Sequence, residues 1–194
     1  HHGDRFKLFQ ASIYDMPFAP AQFDKVLCIG VLQHTPDFKL SVESLIKQVK
    51  TGGEMVIDFY PINGWWTKIC AKYILRPITK KWKHEKLLKV IENNIDWMIK
   101  AYFFLHKIKL GALCRFLPIC DIHGCSPYKE LTPQQLKEWC ILDTFDMYSP
   151  EHDHPQKVTT VKKWMEESGI TVTFAGLITY ADGLKAMVVK GIKK

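Results

Sequence analysis

FQASIYDMPFAPAQFDKVLCIGVLQHTPD, residues 9–37, holds the signals on which the fold turns. Within it, Phe23–Gly30 (FDKVLCIG) is apolar throughout once Asp24 and Lys25 are passed. A short unbroken apolar run suits a strand buried on both faces, as in a parallel sheet. Ahead of it, DMPF (15–18) interrupts regular pairing, because Pro17 has no N–H to give to a ladder.

Working outward, Arg5–Ala11 (RFKLFQA) predicts a short strand, with apolar Phe6, Leu8 and Phe9 among β-prone neighbours. Downstream, Pro36 opens a helical stretch to Lys50, with Leu40, Val42, Leu45, Ile46 and Val49 at near-helical spacing. TGG (51–53) is expected to close it as a C-cap. Glu54–Tyr60 (EMVIDFY) reads as another buried strand. Strand, loop, strand, helix, strand over 5–60 implies crossover connections and a parallel sheet.

Farther out, Gly64 to about Leu117 is helical in pattern, while 111–133, with three Pro and two Gly, reads as loop. Thr132 followed by Pro133 and Gln135 is a helix start. Val158–Ser168 is a helix closed by Gly169, and Ile170–Thr179 and Leu184–Ile192 form a terminal hairpin around YADG (180–183). This divides the chain into a core of 1–60 and 155–194 and a mainly helical insertion of 61–154.

The chain has 194 residues, 47% hydrophobic and 24% charged, an ordinary globular composition. No apolar run approaches the ~20 residues of a membrane span, and the opening HHGDRFKLFQ lacks the apolar segment of an export signal. With that start, six cysteines are expected to be free buried thiols, and a cytoplasmic protein is expected. The net charge of +7 is unevenly spread: residues 64–116 carry twelve Lys or Arg against three acids. That +9 segment is a candidate contact surface for something anionic.

Several pieces taken together resemble a known family: Ala11-Ser12, MPF (16–18), FD (23–24), the apolar VLCI (26–29), and LQH (32–34) with Asp37. They resemble the middle of class I S-adenosylmethionine-dependent methyltransferases related to the ubiquinone and menaquinone biosynthesis enzymes. KTGG (50–53), Glu54–Ile57 and the closing helix, SGI (168–170), strand, glycine, strand continue the likeness, which covers about 5–60 and 155–192. The resemblance implies a Rossmann-like α/β fold, mostly parallel with a C-terminal antiparallel hairpin, in strand order 3-2-1-4-5-7-6 with a helical cap insertion. In that family a strand, a glycine-rich loop and a second strand with a terminal acid come first. None of these precedes Arg5, so the fold is expected to be N-terminally incomplete and this chain alone to bind S-adenosylmethionine poorly and be inactive. Phe23–Gly30 is then expected to be an exposed apolar edge open to self-association.

The resemblance also assigns candidate residues. Cofactor binds outside the carboxyl ends of the strands in such sheets. Ser12 stands where family members carry an acid that accepts from the adenine amino group, which shifts weight to the Ile13 N–H. Cys28, Ile29 and Gly30 would face the methionine end, Gly30 permitting close approach, and Gln33 and His34 would sit at the cleft mouth. Plain readings stand beside these: Ser12 and Asp15 as turn formers, Cys28 as a small buried side chain, His34 as packing at the helix start. LDTFD (142–146), YSP (148–150) and HDHP (152–155) resemble a segment that folds back on the cleft in some family members, or else form a loop pinned by Asx turns. A base, if one is needed, comes from His34, Asp143, Asp146, His152 or His154, unranked.

No metal is expected. Cys114, Cys120, His123 and Cys125 lack the paired C-x2-C of a zinc knuckle, and His152 with His154 is a weak pair. The acceptor is expected to be a small molecule, anionic or linked to a lipid or saccharide. The insertion, with Trp65, Trp66, Tyr73, Trp82, Trp97 and Tyr102 among its lysines, suits such a substrate at a membrane surface, or forms an ordinary cap with a solvated lysine face. Nucleic-acid binding is not expected, because no recognised binding motif is present. A degenerate, non-catalytic interaction module is the rival reading of the whole.

Overall fold

The structure is a computed structural model that describes residues 6–124, 126–179 and 185–194, with the backbone alone at 126 and 127. Its elements in order are β1 (Phe23–Cys28), α1 (Phe38–Gln48), β2 (Val49–Phe59), α2 (Ala71–Thr79), α3 (His84–Lys107), α4 (Pro133–Tyr148), α5 (Val158–Glu167), β3 (Ile170–Thr179) and β4 (Lys185–Lys193). The chain divides into two compact units. One takes in the chain as far as Pro61, His154–Leu177 and Met187–Lys194; the other takes in Ile62–Asp153 and Ile178–Ala186.

The first unit is built on one mixed sheet of order β1-β2-β4-β3. β1 runs parallel to β2, Cys28 opposite Ile57, and β2 runs antiparallel to β4, Phe59 opposite Met187. In the family order given above, these four are the final 4-5-7-6. The connection of the hairpin, 180–184, lies outside the described residues.

Helices α1 and α5 pack together over the sheet. Leu32, Val42, Val49, Met55, Ile57, Val161, Met165, Ile170 and Val189 close the core beneath them. Phe38 sets its edge against Phe59 at 5.7 Å and packs by Trp164. Each such aliphatic side chain stabilises the unit by roughly 1.5–3 kcal/mol when fully buried.

Three expectations need correction here. Residues 6–11 form no strand: a strand exists through its ladder, and no described residue pairs with this segment. Phe6, Leu8 and Phe9 are exposed, and Phe9 packs edge-on to Phe18, which packs edge-on to Phe23. β1 is not buried on both faces, as its apolar run alone implied; it has instead the exposed apolar edge that the family comparison implied, with Leu27 68% exposed. Finally, the glycines at 52 and 53 do not cap α1. Asp37 caps the start of that helix by accepting from Leu40 N–H. Its end is closed by Lys193 of β4, whose Nζ donates to the Ile46 and Val49 carbonyls at 2.9 and 2.8 Å. The chain therefore enters β2 directly at Val49. The glycines form a bulge instead, between the Phe23–Val49 and Lys25–Glu54 pairs. A Cβ on Gly53 would stand 2.9 Å from the carbonyls of Asp24 and Lys50.

The second unit is helical. Leu87, Ile91, Ile95, Met98 and Tyr102 recur every three or four residues along α3 and form its buried stripe. That stripe packs on α4, whose start is fixed by a capping box between Thr132 and Gln135. Cys114, Ile119, Cys120, Ile122, Cys140 and Tyr148 complete this core. Residues 111–129, expected as loop, hold three short 3-10 turns, with Cys125 between the second and third outside the described residues.

Candidate functional site

The carboxyl ends of β1 and β2 lie side by side because the two strands are parallel. Where β1 ends, Gly30 turns the chain with φ +72, and nothing lies within 4 Å of where its Cβ would stand. Only a residue without a Cβ takes that conformation without strain, and the open space leaves the backbone approachable. The Gly30 N–H donates to Asp58 Oδ1 at 2.6 Å, tying the β1 turn to the end of β2. Burial raises the Asp58 carboxyl above the usual carboxylate range, while the Gly30 bond pulls the other way. Burial, aided by the nearby Asp58 charge, pushes the Cys28 thiol up to about 11. At neutral pH it is a protonated, inert thiol.

After Gly30 a 3-10 turn, Leu32–His34, leads toward α1. Gln33 is 1% exposed, so its side chain points inward, away from any cleft mouth, and its Oε1 has no hydrogen-bond partner. Its carbonyl accepts from His154 N–H at 2.8 Å. The half-buried His34 ring meets Tyr60 edge-to-face at 5.7 Å, and the Tyr60 carbonyl accepts from Gln156 N–H. Residues 154–156 thus line the same rim as the Gly30 turn.

Ser12 and Ile13 belong to a separate turn. Ser12 Oγ accepts from the Tyr14 N–H at 3.2 Å, and the Ser12 carbonyl accepts from Asp15 N–H at 3.0 Å. Tyr14 Oη then accepts from Asp37 N–H and Ser41 Oγ, which ties this turn to the start of α1. Ser12 and Ile13 line a shallow hollow of about 430 Å³ with Phe9, Met16 and Phe18. Asp58, Tyr14 and Tyr60 were not singled out from sequence. The available signal for Asp58 was an acid near the end of an otherwise apolar strand, EMVIDFY.

Residues 1–57 match the model of a family described as a methyltransferase domain. Over those residues the chain is similar to part of a methyltransferase domain. Two tRNA U34 carboxymethyltransferases are similar to it. That of Nautilia profundicola is 29% identical over 89 residues, 45% of this chain and 28% of that protein. That of a Sulfurovum species is 38% identical over 47 residues, 24% of this chain and 16% of that protein. The matched region is thus under a third of either relative. A solved S-adenosylmethionine-dependent methyltransferase from Methanosarcina mazei superposes with a TM-score of 0.46 at 10% identity, covering 94% of this chain and 65% of that one.

The candidate residues fall into two groups. Ile29, Gly30, His34 and His154 lie near the end of β1 in the sheet unit, Cys28 and Gln33 bury their side chains beside them, and Ser12 and Ile13 sit on another turn of that unit. Asp143, Asp146 and His152 belong to the helical unit. Asp143 and Asp146 both reach water from α4. The protein around Asp143, more than the Asp146 charge, raises its carboxyl above the usual range although the side chain stays solvated. The HDH segment is fixed otherwise than by Asx turns. Asp153, with its side chain 2% exposed, pairs with Lys72 and with Arg76. Arg76 also donates to the carbonyls of Met147 and Pro150 at 3.1 and 2.8 Å, so the guanidinium staples the end of α4.

The helical unit has its own cavity, about 620 Å³, lined among others by Lys72, Tyr102, His106, Arg115, Asp121 and His123. Tyr102 Oη donates to Asp121 Oδ1 at 2.6 Å and accepts from His123 N–H at 3.1 Å. His106 Nε2 and His123 Nδ1 stand 3.2 Å apart, a distance at which one ring nitrogen donates and the other accepts. Burial, then the His106 ring, lowers the His123 pKa. Of the zinc reading set aside above, Cys114 and Cys120 spend their thiols on the Tyr102 and Cys140 carbonyls, and Cys125 lies outside the described residues. No cluster of three metal-ligating side chains occurs among the described residues.

Proposed function

We propose that the protein transfers a methyl group from S-adenosylmethionine to a small-molecule acceptor or one linked to a lipid or saccharide. The observation that carries this reading is the Gly30–Asp58 contact at the carboxyl rim of the parallel pair. There, a left-handed glycine leaves room for a ligand and a buried carboxylate fixes the loop's N–H. The rim fits the zwitterionic methionine end of the cofactor: Gly30 gives access, and Asp58 keeps one carboxylate oxygen beyond its bond to the loop. The adenine side has weaker means. Ser12 offers an uncharged hydroxyl already engaged by Tyr14, with the Ile13 backbone beside it.

When bound, S-adenosylmethionine supplies an electrophilic methyl on a sulfonium. The chain's part is to hold the acceptor in line and exclude water. His34, on the same rim and braced by Tyr60, is the side chain we assign to accept a proton from the acceptor where that acceptor is a hydroxyl. The free state of all five described cysteines agrees with a cytoplasmic setting.

Titration calorimetry of the full-length gene product with S-adenosylmethionine and S-adenosylhomocysteine tests the reading, because this chain alone is expected to bind poorly. Binding is expected, weakened about tenfold or more by Asp58→Asn, which keeps the acceptor for Gly30 N–H but removes the charge. The same substitution should leave the melting temperature unchanged or raised, since a buried carboxylate with an elevated pKa costs stability when ionised. No heat with either ligand would instead support the non-catalytic interaction module.

A further inference from the structure

The last turn of α3, the 3-10 turn Gly111–Phe116 that follows, and the 3-10 turn Trp65–Lys68 form one corner of the helical unit. Arg115 joins two of them by donating from Nη2 to the Trp66 carbonyl at 2.6 Å. α3 is closed by Lys109 in the left-handed region, φ 61, with Leu110 N–H bonded to the Leu105 carbonyl. Beyond that closure, KIKLGALCRF (107–116) keeps Cys114 buried and presents its larger apolar side chains to solvent. Ile108, Leu110, Leu113 and Phe116 are all exposed, Leu113 by 47%, and Trp65 is 80% exposed beside Trp66. Soluble surfaces rarely gather so many large apolar side chains in one place without a partner.

The charges around this corner are of one sign. Lys68, Lys107, Lys109 and Arg115 interleave with the apolar residues, and none pairs with an acid among the described residues. Neither 59–84 nor 97–120 contains an Asp or Glu. Aliphatic and Trp side chains that enter an acyl boundary, with lysines reaching back to headgroups, are the chemistry of an interfacial membrane segment. A second copy fits worse, because a two-fold contact through this corner would bring its cations against their own copies. A single-stranded nucleic acid fits worse too, since Ile108, Leu110 and Leu113 offer a base neither a stacking face nor a hydrogen bond. No described helix is long and apolar enough to cross a membrane.

We propose that this corner docks the protein on an anionic membrane surface, Trp65, Leu110, Leu113 and Phe116 entering the headgroup boundary and the four cations binding acidic lipids. Each lysine near such a surface contributes about fivefold to binding, the equivalent of ~1 kcal/mol.

Co-sedimentation of the full chain with vesicles of phosphatidylcholine mixed with phosphatidylserine, and of phosphatidylcholine alone, tests this. Binding is expected on the mixed vesicles only, weakening with ionic strength. Lys107→Gln with Lys109→Gln should lower it by about 25-fold, and Leu110→Ser with Leu113→Ser by about tenfold or more. Ile74→Ser with Ile78→Ser, equally exposed positions on α2, should leave it unchanged. Circular dichroism and melting curves establish that each variant is folded. Absence of binding to the mixed vesicles, equal binding to both kinds, or equal loss in the α2 control would overturn the assignment. So would tighter binding of single-stranded RNA through the same lysines, or a dimer that the Leu110 and Leu113 changes dissolve.

Discussion

The sheet unit and the helical unit handle charge in opposite ways. In the sheet unit the described buried acid, Asp58, answers a single backbone N–H and has no cation beside it. In the helical unit Asp153 is buried between Lys72 and Arg76, and Arg76 spends its remaining donors on main-chain carbonyls. A carboxylate left with one weak partner is costly to ionise and available to a ligand. One held by two cations is structural. The difference separates a site residue from a scaffold residue where burial alone does not.

That contrast breaks most visibly at Asp153. Replacing it with Ala leaves the largely buried Arg76 guanidinium without this counter-ion, a change that costs about 3–5 kcal/mol. Hydrogen exchange should show protection lost along α2 and the end of α4 while the β2 amides keep theirs. A uniform loss through both units would mean that Asp153 supports more than the helical unit.

The next test lies in the sheet. Gly53→Ala puts a methyl 2.9 Å from two backbone carbonyls and from a Val49 side-chain carbon, none of which is the free end of a flexible chain. The bulge must shift, at about 1–3 kcal/mol. The loss of exchange protection is expected in β1 and β2 and not in α3. An unchanged melting temperature would show that the 50–53 bulge relaxes freely.

Much of the sheet unit was legible because its signals are local. VLCI, EMVIDF and the helix between them are runs whose period names the element, and parallel pairing follows from the crossover between them. Two features escaped for one shared reason. The closure of α1 by Lys193 and the absence of a ladder at 6–11 both depend on which distant segment lies alongside, and hydrophobic period carries no such information. In the helical unit the stripe of α3 and the cap at Thr132 were readable for the same local reasons. The cluster of Tyr102, His106, Asp121 and His123 was not. Its members lie up to 21 residues apart in sequence with no motif spacing, and a 3-10 turn brings them together. Gly30 and His34 came from a family resemblance; their partner Asp58 needed the register of β1 against β2.

The smallest expected effect is a pH dependence confined to that cluster. Burial first, then the His106 ring, holds the His123 pKa below its ordinary value of 6.5, with Lys129 acting in the same sense and Asp121 opposing. Tyr102 and Tyr128 also face the ring. A depressed pKa means that the folded chain takes up the proton less readily than the unfolded one. The neutral ring therefore contributes stability in full above pH 6.5, and that contribution fades as pH falls from there through the folded pKa. Because the ring remains partly in water, the change is small. It should register as a fall in melting temperature on acidification that His123→Gln flattens. A dependence of equal size in His123→Gln would place the titrating group elsewhere, and a rise in stability on acidification would reverse the sign of the His106–His123 interaction.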